Sequence, residues 1–156
     1  MKILFLDDNV RSFESFKGWI DTFRPGEVEF TYTGNLVDFH YELYESGNPY
    51  DIFIIDLNLE MPPDFQEDQY SAWLESIGIR QVTELRPSCT ALGWDYYDKV
   101  MREKPSTKDR LNRVLLKTGY ADLLMQKFGK NCCSPATLLN KGDEQYDRIL
   151  RKFLEK

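Results

Sequence analysis

Ile52-Phe53-Ile54-Ile55-Asp56 decides the fold. Four apolar residues run without alternation and stop at an acid. A strand with one wet face alternates polar and apolar residues, whereas a strand buried on both faces, as in a parallel sheet, does not. The same signature opens the chain, where Ile3-Leu4-Phe5-Leu6 ends at Asp7-Asp8. It returns at Val114-Leu115-Leu116, which leads to Thr118-Gly119. A fifth strand, Ala136-Thr137-Leu138-Leu139, ends at Lys141-Gly142-Asp143.

Helical patterns separate these strands. Val10, Phe13, Phe16, Ile20 and Phe23 mark one face of a helix stopped by Pro25-Gly26. Val28, Phe30 and Tyr32 alternate with polar residues and give the second strand. Asn35 caps a second helix whose face is Leu36, Phe39, His40, Leu43 and Tyr44, ended by Gly47-Asn48-Pro49. Farther on, Trp94, Tyr97, Val100 and Met101 suit a helix ending before Pro105. Ala121, Leu124, Met125 and Phe128 suit another, closed by Gly129. Tyr146, Ile149, Leu150, Phe153 and Leu154 carry the last helix. Alternation of strand and helix predicts right-handed crossovers and a five-stranded parallel sheet wound on both faces.

One stretch breaks the rhythm. Residues 59–92 open with acidic, proline-containing Glu60-Met61-Pro62-Pro63-Asp64 and continue to a short helix at Tyr70, Trp73, Leu74 and Ile77, ending at Gly78. Pro87-Ser88 marks a further break. A structureless loop of this length is unusual in a compact domain, so the stretch reads as a partly helical insertion between the third strand and the third helix.

The composition narrows the function. The chain has 156 residues, 42% hydrophobic and 29% charged, which fits one folded domain over 1–156. Its net charge of −6 disfavours direct nucleic-acid binding, which calls for a basic face. No apolar run reaches the roughly 20 residues that span a bilayer. The opening apolar run turns acidic after four residues, unlike a signal peptide, so the expected location is the cytoplasm. Cys89, Cys132 and Cys133 form no disulfide framework, and with His40 the sole histidine there is no zinc pattern. The thiols read as free and His40 as a packed or surface side chain.

Chemistry gathers at the strand ends. In an open parallel sheet the C-terminal ends share one edge, and ligands bind there at the switch in strand order. Asp7, Asp8, Asp56, Thr118 and Lys141 therefore converge: three carboxylates, a hydroxyl and an ammonium. Close carboxylates repel one another, and a divalent cation relieves that repulsion. All-oxygen ligation suits Mg²⁺ rather than zinc. A carboxylate can attack phosphorus when cations and donors meet the phosphoryl oxygens.

This ordered set resembles the receiver domain of two-component response regulators. The segments that carry the resemblance are Phe5-Leu6-Asp7-Asp8-Asn9, Asp51-Ile52-Phe53-Ile54-Ile55-Asp56, Leu115-Leu116-Lys117-Thr118-Gly119-Tyr120 and Leu138-Leu139-Asn140-Lys141. They span nearly the whole chain outside the insertion. The resemblance implies a CheY-like, doubly wound fold, with Asp56 the phosphoacceptor and Mg²⁺ the cofactor. Asp8 and Asp56 are then direct metal ligands, Asp7 acts through water, and the Asn58 carbonyl completes the set. Thr118 is the switch hydroxyl, Lys141 pairs with the phosphoryl group, and Gly119 leaves the acceptor accessible. Two positions depart from the pattern: Leu138 stands where an aromatic residue is usual, and Gly142 where proline is usual.

The implied partners are a histidine kinase or phosphotransfer protein upstream and an unidentified protein downstream. With no output domain after the last helix, the chain reads as a stand-alone receiver. Related receivers also pair through the fourth-strand to fifth-helix face, which adds a homodimer to the expectations. Activity is at most self-phosphorylation and dephosphorylation of Asp56, not metabolic catalysis. The alternative is a receiver-like module that binds a protein partner independently of phosphorylation. A phosphatase of the haloacid-dehalogenase type needs an Asp-x-Asp after the first strand, but Asn9 stands two after Asp7.

Overall fold

The computed structural model describes residues 1–156. Five parallel strands form the main sheet: β1 (Lys2–Leu6), β2 (Glu29–Thr33), β3 (Ile52–Asp56), β6 (Val114–Thr118) and β7 (Thr137–Asn140). Their spatial order is β2-β1-β3-β6-β7, so the chain reverses its winding direction between β1 and β3. That is the flavodoxin-like doubly wound arrangement, and the switch point lies at the carboxyl ends of those two strands.

Two-sided burial explains the unbroken apolar runs. Leu4, Leu6, Phe53, Ile55, Val114 and Leu116 point into the larger core, whereas Ile3, Phe5, Ile52, Ile54, Leu115 and Leu139 point into the smaller one. Alternate residues thus serve opposite faces, as the pleat requires. α1 (Val10–Phe23) and α7 (Tyr146–Leu154) cover the smaller core with Phe16, Ile20, Leu150, Phe153 and Leu154. α2 (Leu36–Tyr44), α3 (Glu67–Ser76), α4 (Leu92–Tyr96) and α6 (Ala121–Phe128) cover the larger. Asn35 caps α2, its side chain accepting from Asp38 N–H. His40 packs in the interior, with Nδ1 2.7 Å from the Tyr96 hydroxyl. All three cysteines are free.

Residues 59–92 contain more than the expected helix. α3 is present, but so is an antiparallel hairpin of β4 (Glu84–Arg86) and β5 (Cys89–Thr90), turned at Pro87-Ser88. Partly helical is therefore an incomplete description of the insertion. The hairpin is too short to display strand alternation, and it is held from outside. Buried Asp95 accepts from both the Thr83 N–H and the Thr83 hydroxyl at 2.6 Å. Lys127 of α6 donates to the Glu84 carbonyl at 2.9 Å, and Arg86 donates to the Tyr120 hydroxyl at 2.7 Å. Tyr70, Leu74 and Ile79 join the larger core, so the insertion is packed into the domain rather than hung from it.

α4 runs on through a π-helical turn, Tyr97–Met101, before Pro105 starts a separate short helix, α5 (Pro105–Lys108). No helix is long and apolar enough to cross a membrane.

Candidate functional site

The strand register assembles the site. Leu6 pairs with Ile55, which sets Asp7 beside Asp56 one step later. Asp56 pairs with Lys117, and Thr118 pairs with Asn140, the residue before Lys141. Aligned parallel strands thus deliver side chains from remote positions to one rim.

Each acid is held differently. Asp7 is buried; its Oδ1 accepts from Asn9 N–H at 2.9 Å, while Oδ2 makes no hydrogen bond. The Asp7 backbone is fixed as well, since its carbonyl accepts from the Tyr32 hydroxyl at 2.7 Å. Asp8 is exposed, and its Oδ2 accepts from Glu60 N–H at 2.9 Å, tying the start of the insertion to the first strand loop. Asp56 is 3% exposed. Lys141 Nζ lies 2.9 Å from Asp56 Oδ1, an ion pair whose direction does not complete an aligned hydrogen bond. One oxygen from each of the three acids lies within 4.8 Å of the others.

Burial pushes the Asp56 carboxyl up to about 6; Lys141 opposes that rise and the Asp7 charge adds to it. Asp56 thus sits where negative charge is under-compensated. A divalent cation fits this donor set. Two buried carboxylate oxygens, Asp7 Oδ2 and Asp56 Oδ1, lack hydrogen bonds, and every donor is a hard oxygen.

The sequence-predicted residues meet as follows. Asp7, Asp8, Asp56 and Lys141 are brought together directly. Thr118 lies on the same rim, fully buried, but its hydroxyl donates to Asn58 Oδ1 at 2.8 Å and accepts from Tyr120 N–H at 3.0 Å. Asn58 has a side-chain role that sequence reasoning missed. Its amide nitrogen donates to the Thr90 carbonyl at 3.0 Å, with Cys89 Sγ at 3.6 Å. Asn58 thereby links Thr118 to the inserted hairpin. Its own carbonyl accepts no backbone hydrogen bond. Leu138 packs against the larger core, and Gly142 N–H donates to Asn140 Oδ1 at 3.4 Å.

Two further residues were not singled out from the sequence. Lys117 is buried beside Asp7, with Nζ 3.7 Å from Asp7 Oδ2. Its signal was a charge inside an otherwise apolar strand. Gly93 of α4 packs on the backbone of Asp56 and Leu57, where a Cβ has no room. Its signal was a glycine inside a helical pattern, which commonly marks close packing.

No protein-family model matches the chain, and no curated protein matches it. Among solved structures, the chain is similar to a sensor protein from Polaromonas sp. JS666, at 16% identity and a TM-score of 0.55, covering 99% of this chain and 96% of that one. It is also matched to the receiver domain of the Francisella response regulator 1452, at 17% identity and a TM-score of 0.42, covering 99% of this chain and 97% of that one. The Polaromonas likeness extends over nearly the whole of both chains and bears on fold alone. The fold is a flavodoxin-type doubly wound sheet with its acids at the switch point.

Proposed function

We propose that this protein is a response-regulator receiver that accepts a phosphoryl group on Asp56 from a histidine kinase or phosphotransfer protein. The observation that carries the reading is the acid trio within 4.8 Å, with Lys141 already 2.9 Å from the acceptor oxygen. In this reading Asp7, Asp8, Asp56 and the Asn58 carbonyl hold Mg²⁺, which supplies positive charge to the phosphoryl oxygens when bound.

The chain's own residues do the rest. An Asp56 carboxylate oxygen attacks phosphorus and forms the acyl phosphate O–P bond. The donor's N–P bond breaks, and its imidazole keeps the electron pair and takes up a proton. Lys141 follows the negative charge from the carboxylate to the new phosphoryl oxygens. Thr118 turns its hydroxyl from Asn58 to the phosphoryl group. Asn58 then loses a partner, and its hold on the hairpin carbonyl weakens. A downstream protein in the cytoplasm reads that change. The enzymatic content is limited to gaining and losing this phosphoryl group. The net charge of −6 favours a protein target over nucleic acid.

Incubation with MgCl₂ and acetyl phosphate, followed by intact-mass measurement, tests the assignment. One phosphoryl adduct is expected, absent in Asp56→Asn. An unmodified native chain, or an adduct that survives the substitution, overturns it.

The route through Asn58 carries its own prediction. Asn58→Ala removes the tie between Thr118 and Thr90, and the loss of two hydrogen bonds of about 1 kcal/mol each corresponds to roughly thirtyfold more frequent local opening. Hydrogen exchange at residues 84–90 is expected to accelerate accordingly, while β1 and β3 are unaffected. Unchanged exchange in the hairpin would remove it from the signalling route.

A second reading is a module that binds its partner whether or not Asp56 is phosphorylated. It is favoured by the Thr118 hydroxyl being engaged with Asn58. Partner affinity that is identical before and after phosphorylation selects it.

A further inference from the structure

The acid cluster is served by two lysines of opposite character. Lys141 has a side chain 39% exposed and reaches Asp56 from the rim. The Lys117 side chain is 3% exposed and enters from beneath. Its Nζ lies 4.7 Å from the Phe5 ring centroid and 5.4 Å from that of Phe16, and it makes no hydrogen bond. Its ion-pair partner is Asp7, whose Oδ2 is 3.7 Å away, buried, and equally without a hydrogen bond, while Asp56 and Lys141 act on it from farther off. Each is the other's counter-charge, at a separation where neither is satisfied. A buried ion pair of this kind is weak support for stability, because desolvation offsets the attraction. Its effect on a third charge is different. In a poorly polarisable interior, a fixed cation repels another cation strongly.

We propose that Lys117 is a resident counter-cation of the acid cluster: it competes with Mg²⁺ for Asp7 and sets the metal affinity of the site. The inference rests on the reading of Asp7, Asp8 and Asp56 as a Mg²⁺ site. With both lysines charged, two of the three carboxylates have a counter-charge before metal arrives. Without Lys117 the cluster keeps one more uncompensated negative charge. The protein also offers the displaced ammonium somewhere to go. A cavity of about 250 Å³ between α1 and α7 is lined by Lys117 and Lys141 together with Ser12, Ser15, Trp19 and Tyr146. Were Asp7 to serve a metal ion, the Lys117 ammonium would have the Ser12 and Ser15 side chains lining the same cavity as alternative partners. Lys117 acts through Asp7, so it is a positioning residue.

Lys117→Met keeps the length of the apolar stem and removes the charge. MgCl₂ titration by calorimetry is expected to give a dissociation constant at least about tenfold lower for Lys117→Met than for the native chain. Lys117→Gln is expected to move in the same direction and serves if the methionine variant does not fold. In the native protein, the Lys117 side-chain ¹⁵N signal is expected to shift on saturation with MgCl₂. Equal or weaker Mg²⁺ binding by a folded, uncharged variant overturns the role of Lys117 while leaving the metal site standing. A native Lys117 signal unmoved by bound Mg²⁺ does the same. Absence of binding to native and variant chains alike overturns both the role and the metal site it rests on.

Discussion

Gly93→Ala is expected to destabilise the protein by about 3 kcal/mol, at the upper end of what overpacking a core costs. The added methyl would fall against the Asp56 carbonyl oxygen, 2.8 Å from Leu57 Cα and 3.0 Å from Ile55 Cγ2. Two of these three obstacles are backbone atoms of β3 and its exit. A side chain can swing away; a strand between two hydrogen-bonded neighbours cannot. Gly93 N–H also donates to the Leu57 carbonyl at 3.1 Å, so the helix start and the strand end are bonded as well as packed. Relief requires α4 to lift from β3, which drags Asp56 away from Lys141. Phosphoryl acceptance is therefore expected to fall together with stability. Gly18 is the matched control. It lies inside α1, where an added Cβ would meet nothing within 4 Å, so Gly18→Ala is expected to stabilise by up to about 1 kcal/mol through helix propensity alone. Urea unfolding of the two variants reads the opposite signs directly. A Gly93→Ala protein as stable as the native chain would mean that α4 does not bear on β3.

That contact also marks where sequence reading stops. The main strands were legible because burial on both faces leaves an unbroken apolar run, as at Ile52–Ile55, and the strand ends then name the site. Asp7, Asp56 and Lys141 follow from topology alone, since parallel strands share a carboxyl edge. The hairpin 84–90 was not legible. Its few residues carry Glu84 and Arg86, and its stability comes from Asp95, Lys127 and Tyr120, all outside the hairpin itself. The Asn58 side chain was equally hidden, because its partners Thr118 and Thr90 are neighbours only after folding. Lys117 lay in plain view at the end of an apolar strand, but its partner depended on which face of the sheet it chose. The register gives that face: Lys117 lies opposite Asp56 in β3, and its side chain enters the smaller core beside Phe5 and Phe16.

Asp56→Asn should do two things at once: abolish phosphoryl acceptance and make the protein more stable at neutral pH. In the folded chain burial raises the Asp56 carboxyl from 3.8 to about 6, with Lys141 only partly opposing. The folded state therefore holds this proton more tightly than the unfolded state does. Below about pH 4 both states are protonated and the group costs nothing. As pH rises from there to about 6, the unfolded chain releases the proton first, so stability falls through that window. Above it the full penalty remains, of order 2–3 kcal/mol by linkage. Asparagine has the same shape and never ionises, so it escapes the penalty. Lys141 loses its counter-charge in the variant, but its exposed side chain can be hydrated instead. Urea midpoints of both proteins at pH 4, 5, 6 and 7.5 are expected to coincide at the acid end and diverge as pH rises. A difference that is flat with pH, or a native chain more stable at pH 7.5, would show that Asp56 carries no folding penalty. Added MgCl₂ supplies the sharper comparison. A cation that binds only the folded state stabilises it by mass action. It should therefore raise the native midpoint more than that of Asp56→Asn, narrowing the gap that the buried carboxylate opens.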